Sequence, residues 1–177
     1  MNAATRNRPS SAALVQQLAA ALLQRNWKLV TAESCTGGMI AAACTDLAGS
    51  SDWFERGLVT YSNAAKRELL GVDAALLERY GAVSDAVVRA MALGALGHGN
   101  ANVSIAVTGI AGPGGGSPQK PVGTVWLGWS VQGRVSSRLC HCAGDRAAIR
   151  RETVVLAIRG LLDLLGQSDN PQAPTPR

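Results

Sequence analysis

Residues 32–38 read AESCTGG and join an apolar run to an amphipathic one. The apolar run, residues 27–32, predicts a short buried strand, and the apolar residues after position 38 recur at helical spacing. A strand that turns sharply into a helix exposes the turn at the edge of a sheet and directs the first free N–H groups of the helix at a ligand. The stretch therefore predicts a strand–turn–helix unit that can bind a small molecule.

The same turn carries the side chains of a nucleophilic site. Ser34 is placed as a nucleophile would be, and the N–H groups of Thr36 and Gly37 are candidate donors of an oxyanion hole. Gly37 and Gly38 allow a ligand to approach the backbone closely. The alternative is that Ser34 only caps the helix, as Ser before a helix often does. Both interpretations stay open at this point.

Length and composition indicate one globular domain. The chain has 177 residues, of which 47% are hydrophobic and 16% are charged. Seventeen basic and twelve acidic residues give a net charge of +5, but the basic residues are scattered, which argues against nucleic-acid binding and suits a small anionic substrate. The arginine-rich segment 145–159 also contains acidic and apolar residues, so it is interpreted as an ordinary helix face.

The sequence contains no apolar run of the roughly 18 residues that a membrane span needs. Its N-terminal residues do not resemble a signal peptide. We therefore expect a cytoplasmic protein, with the four cysteines reduced.

The remaining patterns predict an alternating α/β order, with helices capped by Ser10 or Ser11, by Ser62 and by Ser84. Further strands are predicted over residues 54–61, 103–108, 122–131 and 134–142. Helices are predicted over residues 12–25, from residue 39 to near Leu47, and over residues 64–70, 73–80, 84–96 and 145–166. This order predicts a single-domain, three-layer α/β/α sandwich around a mixed β-sheet with one antiparallel hairpin. The domain spans residues 10–166, and residues 1–9 and 167–177 are predicted to be disordered tails.

A glycine-rich loop over residues 109–121 follows the third predicted strand. It is not a P-loop, since Gly116 is followed by Ser117 and Pro118, and the prolines forbid the helix of a dinucleotide-binding fingerprint. Its N–H groups are suited to hold a phosphate or carboxylate, but a plain flexible loop fits the pattern equally well.

Metal and histidine chemistry are both disfavoured. Cys140, His141 and Cys142 suggest zinc, but on a strand the two thiols face away from the histidine, and the chain has no second cysteine pair at metal-binding spacing. Neither His141 nor His98 lies in a neighbourhood typical of a Ser–His–Asp triad.

Tyr61 and Lys66 are the alternative bases for Ser34. Lys66 is predicted in the first turn of a helix, where the positive end of the helix dipole lowers the pKa of an ammonium group, and burial would lower it further. A neutral lysine can accept the proton of a serine hydroxyl. The other interpretation is a solvated surface lysine.

Five stretches together resemble the CinA C-terminal domain family. They are residues 32–38, 54–66 (FERGLVTYSNAAK), 81–84 (GAVS), 108–116 (TGIAGPGGG) and 120–126 (KPVGTVW). The resemblance covers about residues 10–166. It implies an α/β sandwich that forms a homo-oligomer, with a dimer expected, and that uses neither a metal nor a cofactor.

The resemblance also implies an activity, the hydrolysis of nicotinamide mononucleotide to nicotinate mononucleotide and ammonia by a Ser/Lys mechanism. In that mechanism Ser34 is the nucleophile, Lys66 the general base and Tyr61 their helper. The matched motifs imply substrate-binding positions at Glu33, Thr36, Gly37, Gly38, Asn63, Thr108, Gly109, Gly112 and Lys120. The phosphate is expected either at the helix start after residue 36 or at the glycine-rich loop with Lys120.

Some members of the family are named for DNA competence, and longer members carry an additional N-terminal domain with a pyrophosphatase activity that is not expected here. A second hypothesis is therefore a non-enzymatic partner in DNA uptake. The scattered charge and the few aromatic residues argue against direct binding of nucleic acid.

Overall fold

The structure, a computed structural model, describes residues 10–169, with side chains through residue 166. The strands are β1 (Leu29–Glu33), β2 (Phe54–Val59), β3 (Val103–Gly109), β4 (Thr124–Val131) and β5 (Arg134–His141). The helices are α1 (Ser11–Gln24), α2 (Met39–Thr45), α3 (Asn63–Leu70), α4 (Ala74–Tyr80), α5 (Asp85–Gly97) and α6 (Arg146–Asp169). The element order is the predicted one.

The five strands form one mixed sheet in the order β2-β1-β3-β4-β5. β1 is parallel to both β2 and β3, while β4 is antiparallel to β3 and to β5. From β1 the chain passes first to β2 on one side and later to β3 on the other. The carboxyl end of β1 is thus the point where the strand order reverses, and open α/β sheets bind ligands at such points.

Helices cover both faces of the sheet, so the predicted three layers are confirmed. On one face α1, α2 and α6 pack on a core that includes Leu18, Ile40, Ile105 and Ile158. On the other face α3, α4 and α5 pack on a second, smaller core that includes Val30 and Met91. Burial of β1 and β3 on both faces explains why they read as continuous apolar runs.

Three predicted caps are present. The hydroxyl groups of Ser10, Ser62 and Ser84 accept the backbone N–H groups of Ala13, Ala65 and Val87 at the starts of α1, α3 and α5. Each satisfies one of the orphan donors of its helix.

The structure differs from the prediction at several element ends. β2 ends at Val59, two residues before Tyr61, and α2 ends at Thr45 rather than near Leu47. α6 continues to Asp169, three residues past its predicted end. In the sheet, the predicted hairpin of β4 and β5 is accompanied by a second antiparallel pair, that of β3 and β4. The rest of the predicted tails, residues 1–9 and 170–177, lies outside the described residues. Among residues 10–169, no helix combines the length and the apolar character that a membrane crossing requires.

Candidate active site

Ser34 is the first residue after β1, at the carboxyl edge of the three parallel strands. Its N–H donates to the carbonyl of Val107 in β3 (3.1 Å), which extends the sheet pairing by one residue and fixes the backbone of Ser34. Ser34 is 8% exposed. It does not cap α2, whose N-cap is Gly38 without a side-chain hydrogen bond, so the capping interpretation is wrong.

Lys66, on α3, contacts Ser34. It is 1% exposed, so the surface-lysine interpretation is also wrong, and its Nζ lies 3.0 Å from Ser34 Oγ. The same nitrogen lies 2.8 Å from the carbonyl oxygen of Thr60 and 3.3 Å from that of Tyr61. Burial lowers the pKa of Lys66 below its ordinary value.

The partners of Lys66 are compatible with both the ammonium and the neutral amine. An uncharged Nζ has two N–H donors and one lone pair. Two of its three neighbours, the carbonyls of Thr60 and Tyr61, can only accept, and the third is the Ser34 hydroxyl. As an ammonium, Nζ donates to all three oxygens. In the neutral form that burial favours, the carbonyls take both N–H donors and the lone pair faces the Ser34 hydroxyl. This arrangement can withdraw a proton from Ser34.

The carboxylate of Glu33 holds the turn that follows Ser34. It is buried and accepts the N–H groups of Gly38 (3.1 Å), Ile40 (3.0 Å) and Ala41 (2.9 Å), and the hydroxyl of Thr31 lies 3.4 Å from it. The first turn of α2 therefore has a carboxylate of its own chain where a ligand anion was expected.

Some of the remaining backbone N–H groups of the turn donate a hydrogen bond to another backbone group, and others do not. The Gly37 N–H, a predicted oxyanion donor, donates to the carbonyl of Ser34 (3.1 Å). Within residues 10–169, the N–H of Thr36 has no acceptor, and the N–H of Cys35 faces only its own thiol. Gly37 (φ +59°) and Gly38 (φ +95°) adopt left-handed conformations, so the turn itself requires glycine there.

Arg146, in the first turn of α6, spans the mouth of the site. Its Nη1 donates to the carbonyl of Gly112 (2.8 Å) and its Nη2 to the hydroxyl of Tyr61 (3.1 Å). Tyr61 follows β2 and Gly112 follows β3, and β1 lies between these strands. The guanidinium therefore lies over the edge of the sheet at which Ser34 is found. It is exposed and forms no ion pair with any carboxylate of the described residues.

With this geometry established, comparison with known proteins shows the family. A family model described as the CinA C-terminal domain matches residues 11–165. The chain belongs to the CinA C-terminal domain family.

Relatives within this family cover most of the chain. A protein of Enterobacter agglomerans named nicotinamide-nucleotide amidohydrolase PncC is 54% identical over 147 residues, which are 82% of this chain and 90% of that protein. A CinA-like protein of Akkermansia muciniphila is 50% identical over 88% of this chain but only 38% of its own length. The crystal structure of competence damage-inducible protein A (ComA) from Klebsiella pneumoniae superposes with a TM-score of 0.87 at 39% identity, covering 89% of this chain and 98% of that one.

Two predicted residues of the family motif at 54–66 lie at the surface. The Tyr61 side chain is 60% exposed, and its main-chain carbonyl, not its hydroxyl, contacts Lys66. Asn63 is exposed at the start of α3. The structure thus brings Ser34 and Lys66 into contact and leaves the Tyr61 hydroxyl with Arg146.

The predicted residues near β3 are spread along one side of the site. Thr108 is buried, and its hydroxyl donates to the carbonyl of Ala82 (2.9 Å). Gly109 lies so close to β4 that an added Cβ would come within 2.8 Å of Val125. Gly112 is buried beside Val122, and Lys120 Nζ donates to the carbonyl of Tyr80 (2.9 Å).

Of the cysteines and histidines, only Cys35 lies at this centre. Among the described residues, no three of His, Cys, Asp and Glu are grouped so that they could hold a metal ion, and all four cysteines are free thiols. His98 is the C-cap of α5, which leads into the amino end of β3, whereas Ser34 lies at the carboxyl ends of the parallel strands. His141 ends β5, three strand spacings or about 14 Å from β1.

Sequence reasoning missed two arginines of α6, Arg146 and Arg150. Arg150 donates from Nε to the carbonyl of Cys35 (3.0 Å) and from Nη2 to that of Thr36 (2.8 Å). The charge pattern of residues 145–159 predicts an ordinary helix face for both. Their spacing of four was an available signal, because it puts the two side chains on the same side of the helix next to a predicted sheet edge.

Proposed function

We propose that this protein is a nicotinamide-nucleotide amidohydrolase, which converts nicotinamide mononucleotide and water to nicotinate mononucleotide and ammonia. The observation that carries the proposal is the buried contact of 3.0 Å between Ser34 Oγ and Lys66 Nζ at the switch point of the sheet. The name of the Enterobacter relative, 54% identical, supports the substrate.

Arg146 and the glycine-rich loop are proposed to bind the phosphate. The first turn of α2 is unsuited to this, because the Glu33 carboxylate already accepts its N–H groups and would repel a second anion. Arg146 has five N–H donors and uses two of them, so others remain for a ligand. In the loop next to it, residues 113–119 are exposed.

In the first half of the reaction, Ser34 Oγ attacks the carboxamide carbon while Lys66 Nζ accepts the hydroxyl proton. The contact between these two atoms is direct, so the proposal needs no relay through the Tyr61 hydroxyl. Negative charge develops on the amide oxygen, and the N–H groups of Thr36 and Cys35, neither of which donates to another backbone group, are proposed to stabilise it. Lys66 then returns the proton to the leaving nitrogen, and ammonia departs from an acyl-enzyme ester on Ser34.

In the second half, a water molecule takes the position that ammonia has left. Neutral Lys66 accepts a proton from this water, the resulting hydroxide attacks the ester, and the proton returns to Ser34 Oγ. The carboxylate product is released. Over the cycle one amide bond is hydrolysed with one water, and both side chains are regenerated.

The test is the release of ammonia and nicotinate mononucleotide from nicotinamide mononucleotide by the purified protein. Ser34→Ala should lower kcat by about a thousandfold or more without changing the melting temperature, while Ser51→Ala, at an exposed serine outside the site, should leave kcat unchanged. Retention of more than about a tenth of kcat in Ser34→Ala would exclude Ser34 as the nucleophile. A DNA gel shift at physiological salt without ammonia release would favour the DNA-uptake hypothesis instead.

A further inference from the structure

Arg150 makes the most specific contact between α6 and the turn that follows Ser34. One guanidinium donates to two successive carbonyls, those of Cys35 (3.0 Å) and Thr36 (2.8 Å). Arg150 is half-buried and pairs with no carboxylate among the described residues. Its charge is therefore directed at two peptide groups that immediately follow the candidate nucleophile.

These contacts fix the direction of a backbone donor. In a trans peptide the C=O and the N–H point in opposite directions in one plane. Because Arg150 holds the Cys35 carbonyl, the N–H of Thr36 in the same peptide must point away from Arg150. That N–H has no acceptor within residues 10–169. The next peptide is held at both ends, since its carbonyl binds Arg150 and its Gly37 N–H donates to the Ser34 carbonyl.

We infer that Arg150 is a positioning residue for the proposed acyl transfer, which orients the Cys35–Thr36 peptide so that the Thr36 N–H is a preorganised donor to the oxyanion. The inference rests on the proposed function. A guanidinium is suited to this task because its planar fork fixes two acceptors at once, whereas an ammonium is a single point of charge. Binding a cation at the carbonyl also polarises the peptide and strengthens its N–H as a donor.

A purely structural role for Arg150 predicts a different outcome. If Arg150 only ties α6 to the turn, its loss should lower the melting temperature and weaken all ligands alike. If it sets the oxyanion donor, its loss should affect the tetrahedral state and leave the bound product unaffected, because only interactions stronger in the transition state change kcat.

The test compares Arg150→Lys with the wild type. The matched control is Arg151→Lys, since Arg151 is the exposed neighbour on the same helix. Three quantities are measured: kcat, the affinity for nicotinate mononucleotide, and the affinity for the pyridine-3-carbaldehyde analogue of the mononucleotide. Ser34 Oγ adds to the carbonyl carbon of the aldehyde, and the adduct carries its negative charge on the former carbonyl oxygen. The affinity for the aldehyde therefore reports the strength of the oxyanion site.

Arg150→Lys should lower kcat by about tenfold to a hundredfold and weaken the aldehyde by a similar factor, with product affinity changed by less than about twofold. Arg151→Lys should change none of these. A kcat within about threefold of the wild type would overturn the inference, as would equal weakening of product and aldehyde. A loss of kcat that only follows a loss of folded protein would assign Arg150 a structural role and overturn it too. Arg150→Met extends the comparison to a side chain with no donor.

Failure of the proposed function would be seen in the wild type itself. If the wild type binds the aldehyde no more tightly than the product, or if Ser34→Ala remains active, no serine-bound oxyanion forms. Both the proposed function and the role of Arg150 would then be wrong. If the wild type passes these tests and only the Arg150 comparison fails, the acyl-transfer mechanism stands without this residue.

Discussion

The turn after β1 and the glycine-rich loop after β3 leave neighbouring parallel strands at the same edge of the sheet, yet they are built differently. The turn is closed by its own chain: Glu33 accepts three of its N–H groups, Arg150 binds two of its carbonyls, and Lys66 lies buried against Ser34. The loop is anchored at its base, where the Gly123 N–H donates to the carbonyl of Ile110, while residues 113–119 are exposed.

The difference separates chemistry from recognition. A reacting pair must be held within a fraction of an ångström, and the turn supplies this rigidity through buried, charge-assisted hydrogen bonds. A loop with exposed N–H groups can adapt to a ligand, and its contribution should be to affinity. We therefore expect substitutions in the turn to change kcat or stability and substitutions beside the loop to change KM.

The largest effect is expected at Lys66. Lys66→Met should lower kcat by about a thousandfold or more, because Ser34 then has no proton acceptor. Lys66→Arg should be equally inactive, since a guanidinium does not give up its proton. Arg67→Met, at the exposed neighbour on α3, is the matched control and should retain activity. An active Lys66→Arg enzyme would exclude Lys66 as the base.

The pH dependence of the same residue has a definite sign. Burial lowers the pKa of Lys66, so in the window between its folded pKa and the unfolded value near 10.5 the folded state binds fewer protons than the unfolded state. Stability must then rise with pH across that window. The unfolding free energy of the wild type, measured in urea, should increase with pH relative to that of Lys66→Met, and kcat should rise through the same pKa. A pH-independent difference in stability would contradict a neutral buried lysine.

A smaller effect, on stability, is expected at Glu33. Glu33→Gln replaces one carboxylate oxygen by an amide that cannot accept, so at least one of the three N–H groups at the start of α2 loses its partner. The unfolding free energy should fall by about 2 kcal/mol, against no change for the exposed control Glu68→Gln. If KM rises and stability stays constant, Glu33 contacts the substrate, as the family motif had implied.

On the loop side, Arg146→Met should raise the Kd for nicotinamide mononucleotide by about tenfold and leave the Kd for nicotinamide riboside unchanged. The riboside lacks the phosphate, so the comparison isolates the group that Arg146 is proposed to bind. Calorimetry in a Ser34→Ala background avoids turnover. Lys120→Met, measured with the same two ligands, tests whether the lysine of the glycine-rich loop also binds the phosphate. Equal weakening of both ligands by Arg146→Met would show that Arg146 organises the mouth of the site through Tyr61 and Gly112.

The sequence predicted what depends on local pattern. The alternation of strands and helices follows from apolar periodicity, and the helix caps at Ser62 and Ser84 follow from short-range hydrogen bonding. The position of Ser34 at a strand–turn–helix junction was likewise local information. For the contact between Ser34 and Lys66, 32 residues apart, the residues alone leave Tyr61 and Lys66 as alternatives, and the family resemblance assigns the base to Lys66.

What the sequence could not provide depends on how distant elements meet. The family motif implies a substrate-binding position at Glu33, and nothing in the local sequence shows that its carboxylate folds back over α2. The sequence predicts an ordinary helix face for Arg146 and Arg150 because their acceptors lie more than 30 residues away, in the segments that follow β1, β2 and β3. A carbonyl acceptor is present in every residue, so composition carries no signal for such contacts.

The smallest effect is expected at Cys35, although it is the residue next to Ser34. Burial raises the pKa of the Cys35 thiol to about 11, so at pH 7 only about one molecule in ten thousand carries the thiolate that is the reactive form. Cys35→Ser keeps the small side chain and the backbone donors of the turn. It should therefore retain kcat within about threefold of the wild type, and iodoacetamide should inactivate the wild type only slowly at neutral pH. If Cys35→Ser is inactive while Ser34→Ala is active, the nucleophile is the thiol, and the buried contact between Ser34 and Lys66 serves the fold instead.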